Sequence, residues 1–180
     1  MVRLGLSCRV ENKPDRHERW DCLDQQWGQL LSSLGYLPLP LFNSIARTDA
    51  YLDALELDGV ILTGGNHLGT VEPGSIEVVG NLSDVLSGSL SGHAPERDRF
   101  EHHLIGYCLK KKIPLFGVCR GLQKIAHYFG AKVVPIADHV RKNHVVNIVD
   151  GSPMPLPPSL EVNSFHSFAV FSDSMPNALQ

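Results

Sequence analysis

The chain has 180 residues, of which 43% are apolar and 19% are charged, and its formal net charge is −3. This length suits one domain with one core, and the weak negative charge excludes the broad basic surface that nucleic acids or anionic membranes would need. The apolar runs fall short of the roughly 18 residues that span a membrane, and the N-terminal run is too short for a signal peptide, so we expect a cytoplasmic protein.

Apolar runs and helical spacings alternate along the chain. Extended segments are predicted at residues 4–7, 36–42, 59–63, 113–118, 131–136, 145–149 and part of 162–171, and helices at residues 21–34, 48–55, 95–111 and 121–129. Pro38 and Pro40 mark their segment as an edge strand, whereas residues 59–63 and 113–118 are predicted as buried strands. Residues 68–94 are rich in Gly and Ser, residues 151–159 are rich in Pro, and both are predicted as loops.

This alternation predicts the fold class. Strands separated by helices form a mostly parallel central sheet with helices on both faces, which is a three-layer α/β sandwich, here a single domain over residues 1–180. Ligands of such sheets bind at the C-terminal ends of the strands. This rule indicates two places, residues 63–66 and residues 119–121.

The most specific motif is Gly117-Val118-Cys119-Arg120-Gly121, between a predicted strand and a predicted helix. It has the setting of a nucleophile elbow, with cysteine in place of serine. The glycines permit a tight turn, and the helix N-terminus favours the thiolate and offers free N–H groups to an oxyanion. The motif predicts Cys119 as a nucleophile, and a buried structural cysteine is the alternative.

The other cysteines, Cys8, Cys22 and Cys108, lack this setting and are predicted to be small core residues. No C-x-x-C pair occurs, so we predict neither disulfides nor a metal centre, and no cofactor. Two histidine pairs lack partner ligands and are predicted to be exposed: His102 with His103, and His139 with His144.

A pair of glycines, Gly64 and Gly65, follows the predicted strand 59–63. They permit a turn that approaches a ligand closely, and an N–H group of this turn is a candidate second oxyanion donor. Alone the signal is weak, because many turns contain two glycines after a strand.

Four segments in the same order carry a family resemblance. Residues 113–134, IPLFGVCRGLQKIAHYFGAKVV, resemble the nucleophile segment of class I glutamine amidotransferases, and more closely that of the γ-glutamyl-γ-aminobutyrate hydrolase branch, peptidase C26. GVILTGGNHL resembles its oxyanion turn, ERDRFEHHLI its Arg-Asp-x-x-Glu helix, and EVNSFHSFAV its Val-Asn-Ser-x-His segment. The resemblance covers nearly all of residues 1–172 and implies a flavodoxin-like fold.

The resemblance implies hydrolysis of a γ-glutamyl amide through a glutamyl thioester on Cys119, with glutamate released. Gly65 and Arg120 would then donate the oxyanion N–H groups. The residues implied to contact the substrate are Gly64, Gln123, Asn163, Ser164 and His166. The partner is a small γ-glutamyl amide or glutamine, and a homodimer is left open. The leaving amine is also open, because a subgroup that acts on a γ-glutamyl amide of a cytidine nucleotide fits equally well.

One departure from the family bears on activity. The family completes its catalytic triad with a His-Pro-Glu sequence, which these 180 residues do not contain. The leaving amine still needs a proton and the thioester an activated water, so we expect the chain to be weak or inactive. Either the C-terminal part is missing, which we favour, or another histidine replaces the base. His166 is the best placed for that role, and a pocket-lining residue is the alternative.

Three other functions remain open at this stage. The chain could be the glutaminase component of an amidotransferase, although no synthase is fused to it. It could be a non-catalytic binding domain that kept the pocket without the acid and base. An α/β-hydrolase with a cysteine elbow is the third alternative, but that class gives no reason for the Arg-Asp-x-x-Glu and Val-Asn-Ser-x-His segments.

Overall fold

A computed structural model describes residues 1–69, 92–148 and 156–175. The strands are β1 (Arg3–Ser7), β2 (Arg9–Lys13), β3 (Glu18–Cys22), β4 (Leu37–Leu41), β5 (Gly59–Leu62), β6 (Leu115–Gly117), β7 (Val133–Pro135), β8 (Val140–Asn147), β9 (Ser159–Phe165) and β10 (Phe168–Val170). The helices are α1 (Gln25–Ser33), α2 (Thr48–Leu55), α3 (Pro95–Lys111) and α4 (Arg120–Tyr128). Two short 3-10 turns occur at Pro14–Arg16 and Ser172–Ser174.

The centre of the described structure is a four-stranded parallel sheet in the order β4-β1-β5-β6. Strand β4 lies at an edge, as its prolines predict, with Pro38 opposite Leu4 and Pro40 opposite Leu6. Three antiparallel ribbons accompany the sheet: β2 with β3, β7 with β10, and β8 with β9. The parallel sheet and its helices confirm the predicted α/β class.

One apolar cluster joins the sheet to helices α2 and α3. Its buried members are Leu41, Leu52, Leu57, Val60, Leu62, Phe100, Leu104, Ile105, Tyr107 and Cys108. Each fully buried aliphatic or aromatic side chain stabilises the fold by roughly 1.5–3 kcal/mol. The cluster therefore fixes α3 against β5, the strand that leads into the Gly64–Gly65 turn.

Helix α1 begins later than the predicted range 21–34. The side chain of Asp24 accepts a hydrogen bond from the N–H of Gln26 at 2.9 Å, so Asp24 caps the helix N-terminus. Residues 18–22 pair instead with residues 9–13 in the β2–β3 hairpin. This hairpin was not predicted, because its strands are mostly polar and show no apolar alternation.

Two further strands differ from the predictions. Strand β6 is shorter than residues 113–118, and it is an edge strand among the described residues, with Phe116 64% exposed. The prediction of a buried strand was wrong because an apolar run shows β propensity but not whether neighbours cover it. Strand β8 begins at Val140, before the predicted range 145–149. Residues 70–91 and 151–155, which fall in the two predicted loops, lie outside the described residues.

Within the described ranges, no helix combines the length and apolar character needed to cross a lipid bilayer.

Candidate active site

The turn between β6 and α4 has the geometry of the predicted elbow. Cys119 has φ 55° and ψ −113°, a backbone conformation that residues other than glycine seldom adopt. Helix α4 begins at the next residue, and Cys119 is exposed at its N-terminus. The thiol is therefore held on a strained turn where the free N–H groups of a helix begin.

Both glycines of the elbow are required by close packing. A Cβ atom on Gly121 would lie 2.0 Å from the carbonyl oxygen of Leu62, and one on Gly117 would lie 2.5 Å from the backbone nitrogen of Leu122. These neighbours are backbone atoms, so a side chain cannot be fitted by a rotamer change. The absence of Cβ atoms lets α4 start directly against the end of β5.

The Gly64–Gly65 turn lies against Cys119. Strands β5 and β6 pair with Leu62 opposite Gly117, so both strands end at the same edge of the sheet. A Cβ atom on Gly64 would lie 3.4 Å from Cys119 Cβ and 3.8 Å from its Sγ. Gly65 has φ 82°, which favours glycine. The structure thus brings the turn and the candidate nucleophile together.

Arg97 of α3 holds this turn from its buried side. Its guanidinium is fully buried and donates to the carbonyl oxygens of Thr63, Gly64 and Gly65, at 2.7, 3.1 and 2.6 Å respectively. In a trans peptide the N–H points opposite to the C=O of the same peptide unit. The bond to the Gly64 carbonyl therefore turns the N–H of Gly65 away from Arg97.

Arg120, directly after Cys119, is held by the same helix. Its side chain is 2% exposed and contacts Asp98 at 2.5 Å and Glu101. Its backbone N–H is the first of α4 and has no acceptor within the helix. Burial alone raises the pKa of Glu101, but the guanidinium groups of Arg97 and Arg120 outweigh it and hold the pKa below its usual value, so Glu101 is charged.

The residues predicted to contact the substrate occupy two elements. Gln123 on α4 donates from Nε2 to the carbonyl oxygen of Phe168 at 2.8 Å. Ser164 on β9 donates from Oγ to the carbonyl oxygen of His139 at 2.6 Å, and Asn163 beside it is exposed. No hydrogen bond within the described ranges joins these side chains to Cys119, so their role stays a prediction.

His166 reaches the same carbonyl as Gln123. Its Nδ1 lies 2.9 Å from the oxygen of Phe168, and its ring centroid lies 5.3 Å from that of His139. Burial lowers the pKa of His166 despite the opposing bond to Phe168, and the nearby His139 and His144 lower it further. The imidazole is thus neutral near pH 7. No contact between His166 and Cys119 is seen among the described residues, so the alternative role of His166 as the catalytic base stays a prediction.

A cavity of about 220 Å³ borders the Gly64–Gly65 turn. Its lining residues are Arg9, Cys22, Leu23, Asp24, Trp27, Thr63, Gly64 and Gly65. It offers room for part of a ligand beside Gly65. In the part of the chain that the structure describes, no group of three or more His, Cys, Asp or Glu side chains is placed to hold a metal ion.

Sequence reasoning gave no role to Arg97 and Glu101, although a signal was present. The two charged residues are four positions apart on the same face of α3 as Phe100, Leu104 and Cys108, and all five are buried. Charged residues are almost never fully buried unless they are paired. Charges at core positions of an amphipathic helix therefore indicated a buried ionic network.

The four thiols should react in a defined order. Burial raises the pKa of Cys8 and of Cys108 to about 11 and raises that of the half-buried Cys22, whereas Cys119 is exposed. A raised pKa leaves less of the reactive thiolate at any given pH. Iodoacetamide at pH 7.5 should therefore label Cys119 first in folded protein, as mapped by mass spectrometry. In urea all four should react, and early labelling of Cys8 or Cys108 in folded protein would contradict the assignment.

Comparison with known structures first defines the fold. A glutamine amidotransferase structure from Thermotoga maritima superposes with a TM-score of 0.58 at 20% identity, over 94% of this chain and 62% of that one. This likeness confirms the predicted fold, that of class I glutamine amidotransferases.

The particular family follows from the sequence. The sequence model of the peptidase C26 family matches residues 4–177, and the chain therefore belongs to that family. A γ-glutamyl-CDP-amidate hydrolase from Campylobacter jejuni is 34% identical over 170 residues, covering 93% of this chain and 71% of that protein. A γ-glutamyl-γ-aminobutyrate hydrolase from Escherichia coli O157:H7 is 30% identical over 104 residues, covering 57% of this chain and 37% of that protein.

Proposed function

We propose that the protein cleaves the C–N bond of a small γ-glutamyl amide, with Cys119 as the nucleophile. The observation that carries this proposal is the exposed Cys119 on a strained elbow. Its Sγ lies 3.8 Å from the position that a Cβ atom on Gly64 would occupy, so the thiol adjoins the Gly64–Gly65 turn. Membership of the peptidase C26 family supports it, as do relatives whose names describe hydrolases of γ-glutamyl compounds.

The chemistry begins with attack on the amide. The Cys119 thiolate forms a C–S bond with the γ-carbonyl carbon, and the N–H groups of Gly65 and Arg120 stabilise the negative charge that develops on the carbonyl oxygen. The C–N bond then breaks, and the amine leaves with a proton that must come from a general acid or water. Water finally cleaves the glutamyl thioester, which releases glutamate and restores the thiol.

We place the glutamyl group near the start of α4. The family resemblance gives Gln123, Asn163, Ser164 and His166 the task of holding its α-amino and α-carboxylate groups. The shared contact of Gln123 and His166 with the Phe168 carbonyl supports this, because it brings two of the four side chains together. Gln123 itself lies about one helical turn after Cys119.

Release of the product should be slow in this chain. No hydrogen bond among the described residues joins a histidine to Cys119, and residues 1–180 contain no His-Pro-Glu sequence. General acid–base assistance typically contributes about 10²–10⁴-fold in rate. Formation of the thioester is therefore expected to outrun its hydrolysis.

A glutamine-like diazo-ketone, 6-diazo-5-oxo-L-norleucine, tests the proposal. It should modify Cys119 once per chain, because the glutamyl site would deliver its reactive carbon to the sulfur. L-Glutamine should slow the modification, and the same concentration of L-alanine should not. Peptide mapping by mass spectrometry locates the adduct, and Cys119→Ser provides the unlabelled control. Equal protection by both amino acids would exclude a glutamyl site.

A further inference from the structure

A buried ionic network joins the two halves of the proposed oxyanion site. On one side Arg97 binds three successive carbonyl oxygens, those of Thr63, Gly64 and Gly65. On the other side Glu101 accepts a hydrogen bond from the side chain of Arg120. Arg97 Nε donates to the second oxygen of Glu101 at 2.8 Å, which closes the connection. The Glu101 carboxylate thus links Arg97, which binds the Gly64–Gly65 turn, to Arg120, which belongs to the elbow.

The network is costly unless each member is paired. Arg97 and Glu101 have side chains that are 0% exposed, and that of Arg120 is 2% exposed. Ions removed from water in this way are tolerated only when hydrogen bonds replace their hydration. Apolar side chains of similar size would suffice to pack α3 on the sheet, but they could not orient a peptide group.

The hydrogen-bond pattern at the turn is specific in direction. A guanidinium presents its donors in a fixed planar fork, so it can bind several carbonyls in one defined arrangement. Asn66 strengthens this arrangement, because its Oδ1 accepts from the N–H of Val10 at 2.8 Å and from Arg97 at 3.2 Å. Every carbonyl of residues 63–65 is therefore turned toward α3.

We propose that Arg97 and Glu101 are positioning residues for the oxyanion site. Arg97 sets the direction of the Gly65 N–H through the Gly64 carbonyl, and Glu101 fixes Arg120, whose N–H is the second donor. Neither side chain touches the substrate. The inference rests on the proposed function, because an oxyanion forms only when Cys119 attacks a carbonyl carbon.

The test separates reactions that form an oxyanion from one that does not. The γ-(4-nitrophenyl) ester of L-glutamate acylates Cys119 with loss of 4-nitrophenolate, which departs with its electron pair and needs no proton. Iodoacetamide alkylates the same sulfur by displacing iodide, and no oxyanion forms. Since displacements of about 1 Å cost up to about 100-fold in rate, Glu101→Gln should slow the ester burst about 10- to 100-fold. Alkylation of Cys119 should change by less than about threefold, because the elbow remains in place.

Leu104→Ala serves as the matched control. Leu104 is fully buried on the same helix but belongs to the apolar core, so its loss destabilises α3 without touching the network. Even if its melting temperature falls as far as that of Glu101→Gln, Leu104→Ala should keep the ester burst. Arg97→Lys provides a second variant, which retains a positive charge but has three N–H donors and no planar fork. It cannot hold the three carbonyls and Glu101 at the same time, so it should show the same separation of the two rates.

The outcomes distinguish the two proposals. A wild-type chain without a burst would overturn the proposed function, and this inference with it. A wild-type burst that Glu101→Gln and Arg97→Lys leave unchanged would overturn the positioning role alone. Equal losses of ester burst and alkylation, or an equal loss in Leu104→Ala, would also overturn it, because they indicate a purely structural contribution.

Discussion

Changing Cys119 to serine should abolish the burst of 4-nitrophenolate from the γ-(4-nitrophenyl) ester of L-glutamate. A serine hydroxyl is not ionised near neutral pH, and no hydrogen-bonded base within the described residues stands ready to activate it. Loss of an activated nucleophile has cost roughly 10⁶-fold in a well-studied hydrolase, so the variant should fall to the background rate. Stopped-flow absorbance measures the burst directly.

Cys108→Ala is the control for this experiment. Cys108 is 1% exposed in the core below the sheet, and its removal deletes a thiol without reaching the elbow. The variant should melt at a lower temperature and still give one equivalent of 4-nitrophenolate per chain. A full burst from Cys119→Ser, or its loss in folded Cys108→Ala, would assign the chemistry to another residue.

Changing Gly121 to alanine should have the largest effect on folding. The new methyl group would meet the Leu62 carbonyl oxygen at 2.0 Å, so α4 must move away from β5. Overpacking usually costs about 1–3 kcal/mol, and a clash this close with the backbone of Leu62 should exceed the upper end of that range. The free energy of unfolding in urea measures the loss, and the burst should fall with it because the elbow is displaced.

Gly28→Ala provides the opposite result in the same assay. Gly28 lies inside α1, and nothing lies within 4 Å of the position that its Cβ would occupy. Alanine favours a helix over glycine by about 1 kcal/mol, so this variant should be stabilised by up to that amount. If both variants lost the same stability, the close approach at Gly121 would not be the cause.

The sequence predicted well those elements whose boundaries depend on local chemistry. Helix α2 was predicted with both ends correct, and α3 begins at Pro95, a residue suited to the first turn. The polar β2–β3 hairpin was missed because its pairing depends on contacts that no apolar pattern reveals. Strand β6 was identified, but its exposure depends on which strands pair beside it.

The candidate site also combines features that could be predicted from local sequence with features that depend on distant contacts. The elbow could be predicted because the requirement for Gly117 and Gly121 is steric and local. The role of Arg97 could not, because its carbonyl partners lie 32 to 34 residues earlier in the chain. A buried charge indicates that partners exist, but only the folded chain identifies them. The substrate contacts of Asn163 and Ser164 stay predictions that rest on family resemblance.

The edge strand β4 also limits how this protein can assemble with other chains. The N–H of Leu37 points inward and donates to the Val2 carbonyl at 2.8 Å, so alternate positions 38 and 40 face outward. Both positions hold proline, which has no N–H to offer. Neither position offers an N–H group to an incoming strand, and the Pro40 carbonyl already accepts a hydrogen bond from the Tyr51 hydroxyl at 3.4 Å. This side of the sheet therefore resists fibril-like growth and strand exchange. Any continuous sheet shared between two copies must form elsewhere.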